Sequence, residues 1–181
     1  GTAMLEIVYD LAPGATLMFS EGLSSSLAFI DSVSCLRNAG AQVIVDDLGF
    51  YDEPFFADGP VAVAARNAVQ AGISFHSAAG NDADRHLQQP FRATPGSTFH
   101  DFQGVPVDNT DDVVVPPGQE VDCILQWNDP LGGSSSNYDL LLLDSSLNLI
   151  DASTTVQNGS QDPIEIVGAV NLSGTSQTAK I

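Results

Sequence analysis

The stretch "GPVAVAARNAVQAGISFHSAAGND", residues 59–82, decides the reading of the N-terminal half. Pro60 suits the first turn of a helix, where a backbone N–H would lack a partner anyway. From there Val61, Ala64, Ala65, Ala68 and Val69 recur at i, i+3, i+4, i+7 and i+8, the stripe of an amphipathic helix, and Gly72 supplies the stop. The period then changes, and "ISFHSAA" (73–79) reads as a short strand running into a small-residue turn at Gly80-Asn81-Asp82.

Moving outward, "AQVIVDDLG" (41–49) is a strand ahead of that helix. Before it, Leu27, Ile30 and Ser34 keep a helical face from Leu23 onward, and Asn38 with Gly40 ends it. "ATLMF" (15–19) reads as a further strand, and "TAMLEIVYDL" (2–11) as a helix closed by Pro13-Gly14. Strand, helix, strand, helix, strand at this spacing predicts an α/β region with a parallel sheet and helices on its faces. Chemistry in such sheets sits at the carboxyl ends of the strands, where Asp46-Asp47 and Asn81-Asp82 fall.

Beyond about Thr98 the helical period is lost. Val121, Cys123, Leu125 and Trp127 alternate with more polar neighbours, as do Ile164, Ile166, Gly168 and Val170. "YDLLLLD" (138–144) is a more buried strand, and "NDPLGGSSSN" (128–137) a turn-rich loop. These features predict an antiparallel β-sandwich. The expected organisation is an α/β region over 1–82, a linker over 83–97 with Pro90 and Pro95, and a β-sandwich over 98–181.

Five Lys and Arg stand against 23 Asp and Glu, a formal net charge of -18. Such a surface repels phosphate backbones and anionic lipid, which argues against nucleic acid and membrane surfaces as partners. Residues 1–96 hold 11 acids and four bases, and residues 97–181 hold 12 acids and one base. Cys35 and Cys123, one in each half, form neither a disulfide framework nor a zinc spacing and are read as buried apolar residues. No apolar run approaches the roughly 18 residues of a membrane span. The opening Gly1-Thr2-Ala3-Met4 reads as a cut inside a longer protein.

Three stretches resemble one family, the subtilisin-like serine peptidases. "GTAMLEIVYDLAPGA" (1–15) is similar to the segment that follows the catalytic histidine in that family, the histidine itself being absent here. "VIVDDLG" (43–49) resembles the substrate-binding strand, with Asp47-Leu48-Gly49 where Ser-Leu-Gly is usual. "SAAGN" (77–81) is similar to the Ala-Ala-Gly-Asn segment that ends in the oxyanion-hole asparagine. The resemblance therefore implies Asn81 as oxyanion donor and Asp47, Leu48, Gly49, Ala78, Ala79 and Gly80 as substrate-binding residues. It also implies a peptide or protein substrate in a full-length parent, no required cofactor and a secreted protein.

A fixed amide N–H aimed at the developing oxyanion stabilises the transition state of acyl transfer more than the ground state. The family's catalytic aspartate, histidine and serine have no counterparts in the chain, so no peptidase activity is expected of it alone. Gly174-Thr175-Ser176 echoes the family's nucleophile motif, but Gln177-Thr178 replaces the small apolar continuation, and Ser176 is read as part of the β-domain. "WNDPLGGSSSNYDLLLLD" (127–144) resembles the small jelly-roll domains that accompany secreted bacterial peptidases, with Trp127 as a core anchor or as a gripping residue.

His76, His86 and His100 are read as strand or surface histidines, and the pairs Asp46-Asp47, Asp111-Asp112 and Asp82 with Asp84 as solvated loops that leave calcium open as a ligand. Asn158-Gly159-Ser160 and Asn171-Leu172-Ser173 fit the glycosylation sequon. The rival readings are a non-catalytic binding module on a degenerate peptidase scaffold and an unrelated doubly-wound domain. A peptidase fragment lacking its neighbours is expected to self-associate through its open strand edges and helix faces.

Overall fold

A computed structural model of the chain describes residues 1–83 and 85–181. The chain divides into two compact units, Gly1–Asp84 and Arg85–Ile181. Together they are a mixed α/β protein in which most of the sheet is antiparallel.

In the first unit α1 (Thr2–Leu11), α2 (Ser26–Asn38), β1 (Val43–Asp46), α3 (Pro60–Gln70) and β2 (Ser74–Ser77) follow one another. Ser25 caps α2 by accepting the Ala28 N–H at 3.1 Å. The Glu53 carboxylate takes the Val61 N–H at 3.0 Å at the start of α3, a favourable place for negative charge. Gly59 is required there, since a Cβ would lie 2.5 Å from the Pro54 ring. Strands β1 and β2 pair in parallel, with Ile44 opposite Phe75 and Asp46 opposite Ser77. Phe29 and Val33 of α2, Ile44 of β1, Ala68 of α3 and Ile73 close a small core, on which Phe50 stacks edge-on to Phe29 at 5.3 Å.

The run 15–19 is not a strand. A strand exists only through a ladder, and none of these residues belongs to one among the described strands; Met18 and Phe19 are exposed. The parallel sheet among the described residues is accordingly β1 and β2 alone. Cys35 is exposed, contrary to its reading as a buried residue. Phe29, Ser32 and Val33 take the inward face of α2 and turn Cys35 to solvent.

The second unit holds β3 (Asp112–Val115), β4 (Glu120–Gln126), β5 (Leu140–Asp144), β6 (Leu149–Ser153), β7 (Ile164–Val170) and β8 (Gln177–Lys180). One sheet has the order β3-β8-β5-β6 and the other pairs β4 with β7, all antiparallel. Val115, Leu140, Leu142 and Ala179 of the first sheet share a core with Val167 of the second, flanked by Val121, Cys123, Leu125 and Ala169. From Arg85 on, the segment read as a linker belongs to this unit, and Ala93 bridges to His100.

The alternation of β7 is present but faces the opposite way. Cys123 pairs with Val167, Val121 with Ala169 and Leu125 with Glu165, so these residues look inward, while Ile166 and Val170 are exposed. Glu165 is therefore buried, and its carboxyl is satisfied by the Ser153 hydroxyl and by the Gln157 amide at 2.5 Å. Ser153 Oγ and Asp151 Oδ2 also accept the N–H groups of Ile166 (3.3 Å) and Gly168 (3.0 Å), so side chains of β6 occupy the free edge of β7 in place of another strand.

Candidate functional site

Parallel pairing brings β1 and β2 out of the sheet at the same end. Asp47, Leu48 and Gly49 follow β1, and Ala78, Ala79, Gly80 and Asn81 follow β2. The Ala78 N–H donates to the Asp46 carbonyl at 3.2 Å, carrying the ladder one step past β2. Across the strand ends the Ser77 hydroxyl donates to Asp46 Oδ1 at 2.9 Å, and the same oxygen takes the Leu48 N–H at 3.2 Å. Tyr51 then reaches from the loop after β1 to Asp82 Oδ2 at 2.8 Å, tying the two loops together beyond the sheet.

Gly80 has a φ of +79°, a conformation that L side chains resist, and it turns the chain just ahead of Asn81. Asn81 is exposed, and its carboxamide makes no hydrogen bond among the described residues. A shallow depression of about 320 Å³ lies at these strand ends, lined by Met4, Val45, Asp46, Asp47, His76, Ser77 and Ala78. Asp46 Oδ2 is buried there with no partner among the described residues, an oxygen with a lone pair to give.

Among the other sequence candidates, His76 lines the same depression. His76 is exposed, and its Nε2 meets the Ser74 hydroxyl two residues back at 2.8 Å. Gly174-Thr175-Ser176 leads into strand β8 and opens no helix. Among the described residues no group of three or more His, Cys, Asp or Glu side chains could hold a metal ion. Asp112 of the pair Asp111-Asp112 is bound by Lys180 at 2.7 Å, which pulls its pKa below the ordinary carboxylate value together with the Thr110 hydroxyl. Asp84 lies outside the described residues. No helix among them is long and apolar enough to cross a membrane.

Comparison of the chain with models of known protein families, with curated proteins and with solved structures finds no match. Its site residues rest on sequence and geometry.

In the second unit, Trp127 lies at the end of β4, donates from Nε1 to Ser134 Oγ at 3.1 Å and packs edge-on against Tyr138. Its loop is organised by Asp129, whose Oδ2 accepts the N–H groups of Ser135 (3.0 Å) and Ser136 (2.7 Å) and the Ser134 hydroxyl (3.1 Å). The Ser136 N–H leads these contacts in lowering the Asp129 pKa. The rings continue from Tyr138 to Phe91, His100 and Phe102 at centroid spacings of 4.7–5.3 Å.

Sequence reasoning missed the polar centre of this cluster. Asp101 is buried, and its Oδ1 gathers the N–H groups of Gln103, Gly104 and Asp108 while Arg92 pairs with Oδ2 at 3.2 Å. The Gly104 N–H is the main cause of its lowered pKa. His100 Nδ1 accepts the Arg92 N–H at 3.0 Å and Nε2 meets the Gln89 amide at 2.7 Å. Burial, and then the Arg92 guanidinium, push the His100 pKa below its ordinary value against the opposing pull of Asp101, and the net shift favours the neutral imidazole. The one cue available in sequence was the Phe-His-Asp-Phe run at 99–102.

Proposed function

We propose that the chain is part of a subtilisin-like serine endopeptidase, carrying its oxyanion asparagine and part of its substrate cleft, followed by an inserted β-sandwich of the jelly-roll type. One observation carries this reading. Asp47-Leu48-Gly49 and Ala78-Ala79-Gly80-Asn81 leave two paired parallel strands at the same end, and the second segment finishes on an exposed amide with no hydrogen-bond partner among the described residues. Acyl transfer needs that arrangement: one extended segment for the peptide backbone, a small-residue wall beside it, and a donor at the developing oxyanion.

In this reading a histidine preceding Gly1 takes the proton of a serine lying beyond Ile181. The hydroxyl oxygen bonds to the scissile carbonyl carbon, the carbonyl electron pair moves onto oxygen, and the Asn81 amide holds that charge. The oxyanion's electron pair then re-forms the carbonyl, the C–N bond breaks with its electrons going to the amine, which takes the histidine's proton, and water repeats the sequence on the acyl-enzyme to release the acid and restore the serine. The chain by itself supplies only the cleft and the oxyanion donor and is inactive.

A second reading is a non-catalytic binding module on a degenerate peptidase scaffold. It is favoured by Asp47, which puts a carboxylate where the peptidase pattern has serine, beside an Asp46 oxygen with no partner among the described residues.

The coding sequence on either side of the chain separates the two. A histidine codon before Gly1 and a downstream Gly-Thr-Ser segment opening a helix are expected, and the longer protein should hydrolyse a chromogenic peptide amide. Asn81→Ala in that protein should lower kcat about 10²–10³-fold with KM little changed, the size known for such a donor in a subtilisin. An active longer protein that keeps its kcat in Asn81→Ala would remove Asn81 from the mechanism. A longer protein without the histidine and serine segments would leave the binding module.

A further inference from the structure

The stretch from Arg85 to Asp111 contains no helix and no strand beyond the bridge of Ala93 to His100. Its order rests on side chains, and the central one is an imidazole. His100 lies between the Phe91 ring, 5.3 Å away, and the Phe102 ring, 4.7 Å away, and Phe91 in turn packs on Tyr138 at 5.1 Å. The Arg92 N–H donates to His100 Nδ1 at 3.0 Å. The turn between residues 92 and 101 closes through the Asp101 N–H to the Arg92 carbonyl at 2.7 Å and the Thr94 N–H to the Phe99 carbonyl at 2.9 Å.

A ring nitrogen accepts a hydrogen bond only while it carries no proton. With Nδ1 taken by the Arg92 N–H, the neutral ring keeps its hydrogen on Nε2, 2.7 Å from the Gln89 carboxamide, which accepts through its oxygen. A proton on Nδ1 would set two donors face to face with no acceptor between them. The charges that act on the ring are Arg92, against protonation, and Asp101, in favour of it. Arg92 is fixed in place, its Nε on Asp101 Oδ2 at 3.2 Å and its Nη2 on the Asp101 carbonyl at 2.7 Å. Asp101 Oδ1 is already committed to the N–H groups of Gln103, Gly104 and Asp108.

We propose that His100 is an acid-operated latch: uptake of a proton on Nδ1 ends its hold on the Arg92 N–H, and the segment 89–102 comes off the sandwich while the sandwich itself stays folded. The core between the sheets, Val115, Leu140, Leu142, Val167 and Ala179, includes no residue of that segment. What the opening bares is the Tyr138 ring that Phe91 covers, beside Trp127. The closed form prefers the neutral ring and the open form takes the proton at the ordinary 6.5, so the latch is firm above about pH 6.5 and loosens as pH falls through the lower folded value. Asp101, whose pKa lies below its ordinary 3.8, stays charged over that range. The latch does not depend on the peptidase reading and stands if that fails.

Hydrogen exchange of the full chain, read by mass spectrometry at about pH 7 and about pH 5 with labelling times scaled to the intrinsic rates, is the test. The fragment holding residues 92–101 should lose protection about fivefold or more on acidification, the change in open population that loss of one hydrogen bond brings, while a fragment holding β5 keeps its own. His100→Asn puts near the place of Nδ1 an amide oxygen that accepts but takes no proton, so its protection should be equal at the two pH values, whatever its level. His86→Gln should respond as the wild type does. Independently of any variant, the nitrogen chemical shifts of His100 at about pH 7 should show Nε2 protonated and Nδ1 bare. Equal protection of the wild-type fragment at both pH values, a loss shared by β5, a pH response that survives in His100→Asn or disappears in His86→Gln, or a proton on Nδ1 in the neutral ring would overturn the proposal.

Discussion

Leu142 offers the sharpest test of the second unit. Its side chain has no exposed surface and lies between the two antiparallel sheets among Val115, Leu140, Val167 and Ala179. Leu142→Ala removes hydrocarbon worth about 2 kcal/mol of transfer free energy. It also leaves a void that two hydrogen-bonded sheets resist closing, which places the total at about 3–4 kcal/mol within the usual range for such changes. Trp127 is the single tryptophan, and its indole is engaged by Ser134 and Tyr138 in this unit, so its fluorescence follows this unit's unfolding. With a urea m-value of about 1.5 kcal/mol/M, the midpoint should fall by about 2 M at unchanged m. Leu142→Met, which conserves volume, should fall by less than about 1 M. A shift under about 0.5 M for the alanine variant, at wild-type m, would mean that Leu142 is not enclosed between two sheets, and the core argument would fail with it.

Two further outcomes follow from titrating groups. The folded pKa of His100 lies below its ordinary 6.5, so the unfolded chain binds the extra proton first, and the stability tied to the neutral ring is complete above about pH 6.5 and is lost as pH falls through the folded value. The difference in urea midpoint between wild type and His100→Gln should thus be constant above pH 6.5 and shrink toward pH 5; a difference that grows on acidification would refute the assignment. Asp101, Asp112, Asp129 and Asp144 have lowered values too, and their contribution is lost only below their ordinary 3.8. The thiols should separate by reactivity at pH 8. Burial first, then Asp122 and Asp111, push Cys123 up to about 11 and keep it a thiol, whereas Cys35 is exposed, so a disulfide reagent should titrate one group quickly and the second only on unfolding. Equal rates for both would contradict the placement of Cys123.

Much of the local structure was legible. Helix α3 was marked at both ends, by Pro60 and by Gly72 with its φ of +89°, and its apolar stripe set the buried face that includes Ala64 and Ala68. The period of β4 separated its core-facing Val121, Cys123 and Leu125 from Glu120 and Asp122. The candidate site was legible to the extent that its residues are contiguous: each segment after β1 or β2 is a few residues long and carries its own turn chemistry. The polar centre around Asp101 was not legible, because its donors come from Arg92, Gln103, Gly104 and Asp108, spread along a loop with no periodic pattern.

What the sequence determined by itself is what local backbone chemistry decides: the helices, the small-residue turn at Gly80-Asn81-Asp82, the strand periods, and the charge that argues against nucleic acid. Tertiary structure decided the rest, since those outcomes depend on a neighbour that sequence spacing does not name. Whether 15–19 became a strand depended on a ladder partner it lacks, and whether Ile166 or Glu165 faced the core depended on register with β4. In "IEIVGAV" either face carries apolar residues, so the alternation of Ile164, Ile166, Gly168 and Val170 could not by itself fix which face turned inward. Pairing Cys123 with Val167 settled the face, and Ser153 and Gln157 met the buried Glu165 that resulted.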